Sequence, residues 1–75
     1  MPRIVPVHWK TLERVVLRSG LTFMRQKGSH RSYGRAGLSR PVVIPEKSEV
    51  PVSIIRGVLD TLGISREEYF RLLEE

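Results

Sequence analysis

One histidine in this chain has neighbours that would let it do proton chemistry on a phosphate. His30 lies in the stretch Phe23-Met24-Arg25-Gln26-Lys27-Gly28-Ser29-His30-Arg31-Ser32-Tyr33, crowded by Arg25, Lys27 and Arg31. An imidazole gives or takes a proton near neutral pH, because its unperturbed pKa is about 6.5. Breaking an RNA backbone asks for this. The 2′-hydroxyl must lose a proton as it attacks the neighbouring phosphorus, and the leaving 5′-oxygen must gain one. The pentacovalent species between them carries extra negative charge, which nearby cations stabilise. His30 is therefore the candidate catalytic residue, and Arg25, Lys27 and Arg31 are candidate phosphate binders. Ser29 could orient the imidazole or touch phosphate. Gly28 lets backbone approach a ligand closely and is also what a tight turn requires. The plainer reading of the same residues is an exposed histidine on a solvated basic hairpin.

Other chemistries find little support. The chain has no cysteine, which removes disulfides, thiol catalysis and thiolate zinc sites. There is no HExxH motif or paired acidic motif; Glu46 and Glu49, three apart, are a feeble metal signal. No serine sits in a triad pattern and no glycine-rich nucleotide loop occurs. Neither a metal nor a small-molecule cofactor is expected. The second histidine, His8, has only Lys10 as a cationic neighbour. It falls in the first turn of a predicted helix, where a positive charge would oppose the helix dipole, so a neutral surface imidazole is expected there.

Charge agrees with a polyanionic partner. The net charge is +5, unevenly spread. Residues 1–45 hold nine Lys/Arg and one acid, Glu13, giving +8; residues 46–75 hold four Lys/Arg and seven acids, giving −3. A basic front half is the footprint of a nucleic-acid ligand. Ten of the thirteen cations are arginine, the better residue for bidentate phosphate contacts.

The elements that must hold this hairpin can be read from periodicity. Seventy-five residues make one domain, 1–75, with a thin core and no room for a deep cavity. Residues 1–6, with two prolines, form an extended lead-in. From Val7 to Ser19, Trp9, Leu12, Val15, Val16 and Ser19 share a helical face, and Gly20 ends the helix as a C′ glycine. Leu21 to Gln26 is a strand with Leu21 and Phe23 on one face and Thr22, Met24 and Gln26 on the other. Phe23 is expected to pack in the core. Lys27-Gly28-Ser29 is a turn. His30 to Arg35 is a second strand, His30 and Ser32 facing one way, Arg31 and Tyr33 the other. Val42-Val43-Ile44, closed by Pro45, is a third. Pro51 opens a helix as its first residue, with Ile54, Ile55, Val58, Leu59 and Leu62 on one side and Gly63 at its end. Ser65-Arg66-Glu67-Glu68 is a capping box that starts a short terminal helix over 65–75, where fraying is expected. The order α-β-β-β-α, with this extra helix, fits an α+β domain: a three-stranded antiparallel sheet with helices on one face. The longest apolar runs are too short to span a membrane and residues 1–6 do not resemble a signal peptide. A soluble cytoplasmic protein with no membrane partner is expected.

Gly20-Leu21-Thr22-Phe23, then Gln26-Lys27-Gly28-Ser29-His30, then Val42-Val43-Ile44-Pro45 and the helix ending at Gly63, resemble the HicA family of small toxins. The resemblance runs from about Val7 to about Glu68, and Gln26-Lys27-Gly28-Ser29-His30 is its most telling part. It implies a fold similar to a double-stranded-RNA-binding domain. It implies an mRNA interferase that cleaves mRNA without metal, a single catalytic histidine matched by His30, and a HicB-type antitoxin partner that masks the site. Family members often carry a histidine just beyond the proline that closes the third strand; this chain has Glu46 and Lys47 there. Two other readings compete with the toxin endoribonuclease: a non-catalytic RNA-binding module that tracks A-form RNA through 2′-hydroxyl and phosphate contacts, and a basic protein-interaction module.

Overall fold

The computed structural model describes residues 3–75. Its elements run α1 (Trp9–Arg18), β1 (Thr22–Lys27), β2 (His30–Gly34), β3 (Val42–Pro45), α2 (Val52–Leu62) and α3 (Arg66–Glu74). This is the expected α-β-β-β-α order plus the terminal helix. The strands form one antiparallel sheet in the order β1-β2-β3, so β2 is central and β1 and β3 are edges. Met1 and Pro2 of the expected lead-in lie outside the described residues. Residues 3–6 form no helix or strand, and Val7 makes an antiparallel bridge to Val50.

The helix ends show why each helix stops where it does. His8 is the N-cap of α1: its Nδ1 accepts from the Lys10 backbone N–H at 3.1 Å. The ring thus caps a backbone donor that the helix start would otherwise leave orphaned. Pro51, expected to be the first helical residue, is instead the N-cap of α2, and the helix begins one residue later at Val52. Gly63 closes α2 with φ +71°, which a side-chain-bearing residue adopts only at a cost. Ser65 caps α3 by accepting from the Glu68 backbone N–H at 3.1 Å. Only half of the expected capping box forms, because the Glu68 carboxylate turns instead to the Arg71 guanidinium.

The core is the layer between one sheet face and the helices. Tyr33, Val42 and Ile44 meet Leu12, Val15 and Val16 of α1, with Ile55, Val58, Leu59 and Leu62 of α2 completing it. The terminal helix belongs to this layer. Tyr69 and Leu72 are buried, and Arg18 of α1 donates from Nη1 to the Leu72 carbonyl at 2.7 Å. That bond ties down a segment whose sequence position suggested fraying, and it supplies a cation to carbonyls that the helix end leaves open.

The strand register contains the fold's main departure from simple alternation. Phe23 pairs with Tyr33, but Arg25 pairs with Ser32, leaving Met24 as an extra residue between them. This β-bulge moves everything after it by one face. Gln26, expected to share a face with Thr22 and Met24, instead pairs with Arg31 on the helix side. Arg25 and Lys27 turn to the opposite side, the open face of the sheet.

Candidate nucleic-acid interface

The open face is built in rows. Lys27 pairs with His30, and His30 pairs with Pro45. Arg25 pairs with Ser32, and Ser32 with Val43. Directly paired residues share a face, so Arg25, Lys27, His30, Ser32 and Val43 lie side by side. Without the bulge, Arg25 and Lys27 would point toward the helices. Arg25, Lys27 and His30 are all exposed, and their side chains make no hydrogen bond or ion pair among the described residues. They are cations and an imidazole held by backbone alone.

The turn fixes where the imidazole stands. The loop between paired Lys27 and His30 is only Gly28-Ser29. Gly28 has φ +61° and Ser29 has a negative φ, the pattern of a two-residue hairpin with glycine at its first position. A Cβ on Gly28 would meet no atom within 4 Å, so the glycine is needed for its backbone and not for space. The Gln26 side chain donates from Nε2 to the Gly28 carbonyl at 2.9 Å, and the Glu46 backbone N–H donates to the Ser29 carbonyl at 2.7 Å. Both loop residues are thus tied from either side, and His30 follows directly.

Arg31 stands apart from the other cations named from the sequence. It lies on the helix face, one residue from His30 and on the other side of the sheet. Its Nε donates to the Tyr33 hydroxyl at 3.0 Å and its Nη1 to Gln26 Oε1 at 2.9 Å. Nη2 pairs with Glu13 at 3.2 Å and Nη1 with Glu46 at 3.5 Å. The guanidinium also lies over the rings of Phe23 and Trp9, at 4.4 and 5.0 Å from their centroids. Tyr33 completes the cluster by donating its own hydroxyl to Glu13. The hydrogen bond with Tyr33 is the foremost cause raising the Arg31 pKa, against the opposing pull of desolvation. Burial, followed by the hydrogen bond with Glu13, pushes the Tyr33 hydroxyl up to about 12.

This cluster corrects the expectation for Phe23. The ring is 46% exposed, not part of the core. It sits on an edge strand, where the Arg31 guanidinium covers it and the Tyr33 ring meets it edge-on at 5.8 Å. Sequence reasoning also passed over Glu13, Gln26 and Glu46 as partners of Arg31. One signal was available: Glu13 is the sole acid among the nine cations of residues 1–45, so some cation of that half had to claim it.

Among the described residues, no group of three or more His, Asp or Glu side chains is placed to hold a metal ion, and no helix is long and apolar enough to cross a membrane. Compared with known families, residues 9–64 match the model for the HicA toxin of bacterial toxin–antitoxin systems. The match covers most of the chain and spans α1 through α2. No curated protein matches the chain.

Proposed function

The chain belongs to the HicA toxin family, and from that premise we propose that residues 1–75 form one toxin domain that cleaves mRNA at its open sheet face. His30 is the catalytic residue. It takes the proton of the 2′-hydroxyl as that oxygen attacks phosphorus, or delivers a proton to the departing 5′-oxygen; with one imidazole in the site, water handles the other transfer. Arg25 and Lys27 hold the phosphates and offset the charge of the pentacovalent species. Ser29 and the backbone at Gly28 meet the strand where it crosses the turn. The reaction needs no metal. A HicB-type antitoxin neutralises the toxin by covering this face.

The observation that carries this reading is the exposed imidazole on one open face with two exposed, uncommitted cations, Lys27 directly across from it and Arg25 in the next row. Arg31 takes a different part from the one its sequence position suggests. It is a positioning residue: its partners Gln26 and Glu46 are the residues that hold Gly28 and Ser29, so it braces the turn from behind. Glu46, standing where family members often have a histidine, is one of its two acidic partners.

The test is cleavage of a long, partly single-stranded RNA by antitoxin-free protein in EDTA, with folded wild type and His30→Ala side by side. Cleavage by wild type alone is expected. Equal cleavage by both would remove His30 from the chemistry and make His8 the next candidate. Salt-sensitive binding by both without cleavage would mark a non-catalytic RNA-binding module.

A further inference from the structure

Beyond the His30 row, the same sheet face ends in a hollow. It has a volume of about 350 Å³ and lies between β1, the last residue of β2 and the loop that leads to β3. Met24, Gly34, Leu38 and Pro41 give it an apolar floor, while Thr22 and Arg40 line it with polar groups. Gly34 follows His30 and Ser32 at the two-residue period, so it shares their face. Four residues of strand put the hollow about 13 Å from His30.

Met24 makes this hollow more than a gap between loops. It is the bulge residue and pairs with nothing in β2. It is 57% exposed, so the core does not use it either. Its thioether lies down over Gly34: a Cβ built there would come within 2.5 Å of Met24 Sδ. The missing side chain of Gly34 therefore seats a soft, polarizable sulfur on an otherwise bare strand end. Thioethers make favourable contacts with π systems. Arg40 stands exposed beside this floor. A second arginine of the lining, Arg35, is steadied by a 2.9 Å bond from its Nη1 to the Ser19 carbonyl. A flat apolar group with an anion next to it is the ligand that such a site fits. The volume lies at the lower end of the range for small-molecule sites, about 300–1,000 Å³.

We propose that this hollow is a subsite for one nucleobase of the RNA strand and its adjoining phosphate, with Met24 under the base and Arg40 on the phosphate. The proposal rests on the reading that the open face meets RNA. It extends the interface from the His30 row to the far end of the sheet, so that RNA is gripped at a position well away from the bond that breaks.

The test is binding of a short fluorescent single-stranded RNA of mixed sequence to the antitoxin-free full chain. It uses the His30→Ala background, so that no strand is cut, and a series of salt concentrations. Arg40→Ala is expected to weaken binding and to make the slope of log K against log salt shallower by about 0.7, the value for one single-strand phosphate contact. Met24→Ala is expected to weaken binding by about fivefold with the slope unchanged, the low end of what one stacked base contributes. An RNA carrying abasic nucleotides should be indifferent to Met24→Ala. Both side chains are exposed, so neither variant threatens folding. Unchanged affinity in both variants, or equal loss by Met24→Ala on the abasic strand, would overturn the subsite. So would loss of a bound protein partner with RNA affinity intact, which would make the hollow a protein-docking site. Cleavage by the His30-intact protein is run alongside. Its absence with the binding losses present would sink the nuclease reading alone, and its presence with unchanged binding would sink the subsite alone.

Discussion

His30 and Arg31 are neighbours in sequence and opposites in structure. On one side of the sheet, Arg25, Lys27 and His30 stand exposed with no side-chain partner among the described residues. On the other, Arg31 is held by Glu13, Glu46, Gln26 and Tyr33 and lies over the rings of Phe23 and Trp9. The Arg31 and Glu13 side chains keep only 20% and 21% of their exposure. The comparison shows that cation count does not measure capacity for phosphate. A guanidinium whose donors are already taken offers little to a ligand. Arg31 is committed to the residues that brace the hairpin, and under the proposed function the exposed side chains are the ones left to bind. One face should govern activity without governing stability, and the other the reverse.

The largest expected effect tests the open face. His30→Ala should lower RNA cleavage by at least about a hundredfold, the lower end of what one general acid or base contributes, with the melting temperature unmoved. A melting temperature that fell with activity would give His30 a structural part and break the division.

Arg31→Ala tests the other face. It should lower the melting temperature by several degrees, because it leaves the Glu13 and Glu46 carboxylates without their cation and uncovers the Phe23 ring. Arg31→Lys should recover little, since an ammonium cannot reproduce the planar fork that meets several partners at once. Activity lost at unchanged melting temperature would instead return Arg31 to the phosphate.

A subtler check comes from pH. The Tyr33 pKa is raised in the fold from its ordinary 10.0 to about 12. The folded state therefore holds the proton more tightly than the unfolded one. The stability this contributes is fully present below pH 10 and is lost as pH climbs toward about 12. Denaturant titrations across that window should show stability falling more steeply for wild type than for Tyr33→Phe. The residual slope includes Tyr69, whose pKa is also raised by burial.

The smallest effects should come from the open-face cations. Arg25→Ala and Lys27→Ala should each leave stability within about 0.5 kcal/mol of wild type. Each should make the salt slope of RNA binding shallower by about 0.7. Additive slopes in the double variant would place both on phosphates.

Much of the fold could be read from the sequence because its elements follow strong local rules. Leu12, Val15 and Val16 repeat at helical spacing, Gly20 and Gly63 end helices where positive φ is required, and Lys27-Gly28-Ser29 marks a tight turn, of which Lys27 proves to be the last paired residue of β1. The faces of β1 were not legible past Phe23. Nothing in Met24 or Arg25 announces a bulge, and a two-residue alternation cannot reveal its own interruption. The glycine at 34, against which the extra side chain lies, is the one local hint. The Arg31 cluster was hidden for another reason. Its members come from α1, β1, β2 and the loop after β3, and no spacing in the chain encodes a meeting of that kind. The half-formed capping box shows the same limit in miniature, since Glu68 could bond its own helix start or Arg71, and the pattern alone does not choose.

The bulge at Met24 has a consequence at the level of the gene. The ladder passes from the Phe23–Tyr33 pair to the Arg25–Ser32 pair without using residue 24. Loss of that one codon would let the strand run on as a regular ladder, with Arg25, Gln26 and Lys27 still facing as they do now. Loss of the codon for Arg25 would leave Met24 to take its pairing place opposite Ser32 and remove a cation from the open face. Loss of the codon for Gly28 would leave the hairpin too short to close. Within this short stretch, then, loss of Met24 keeps the row of Arg25, Lys27 and His30 but strips the thioether from the far hollow, and loss of Arg25 or Gly28 damages the row itself. Two deletions of equal size and a few bases apart would differ in which end of the open face they strip, the His30 row or the hollow beside Gly34.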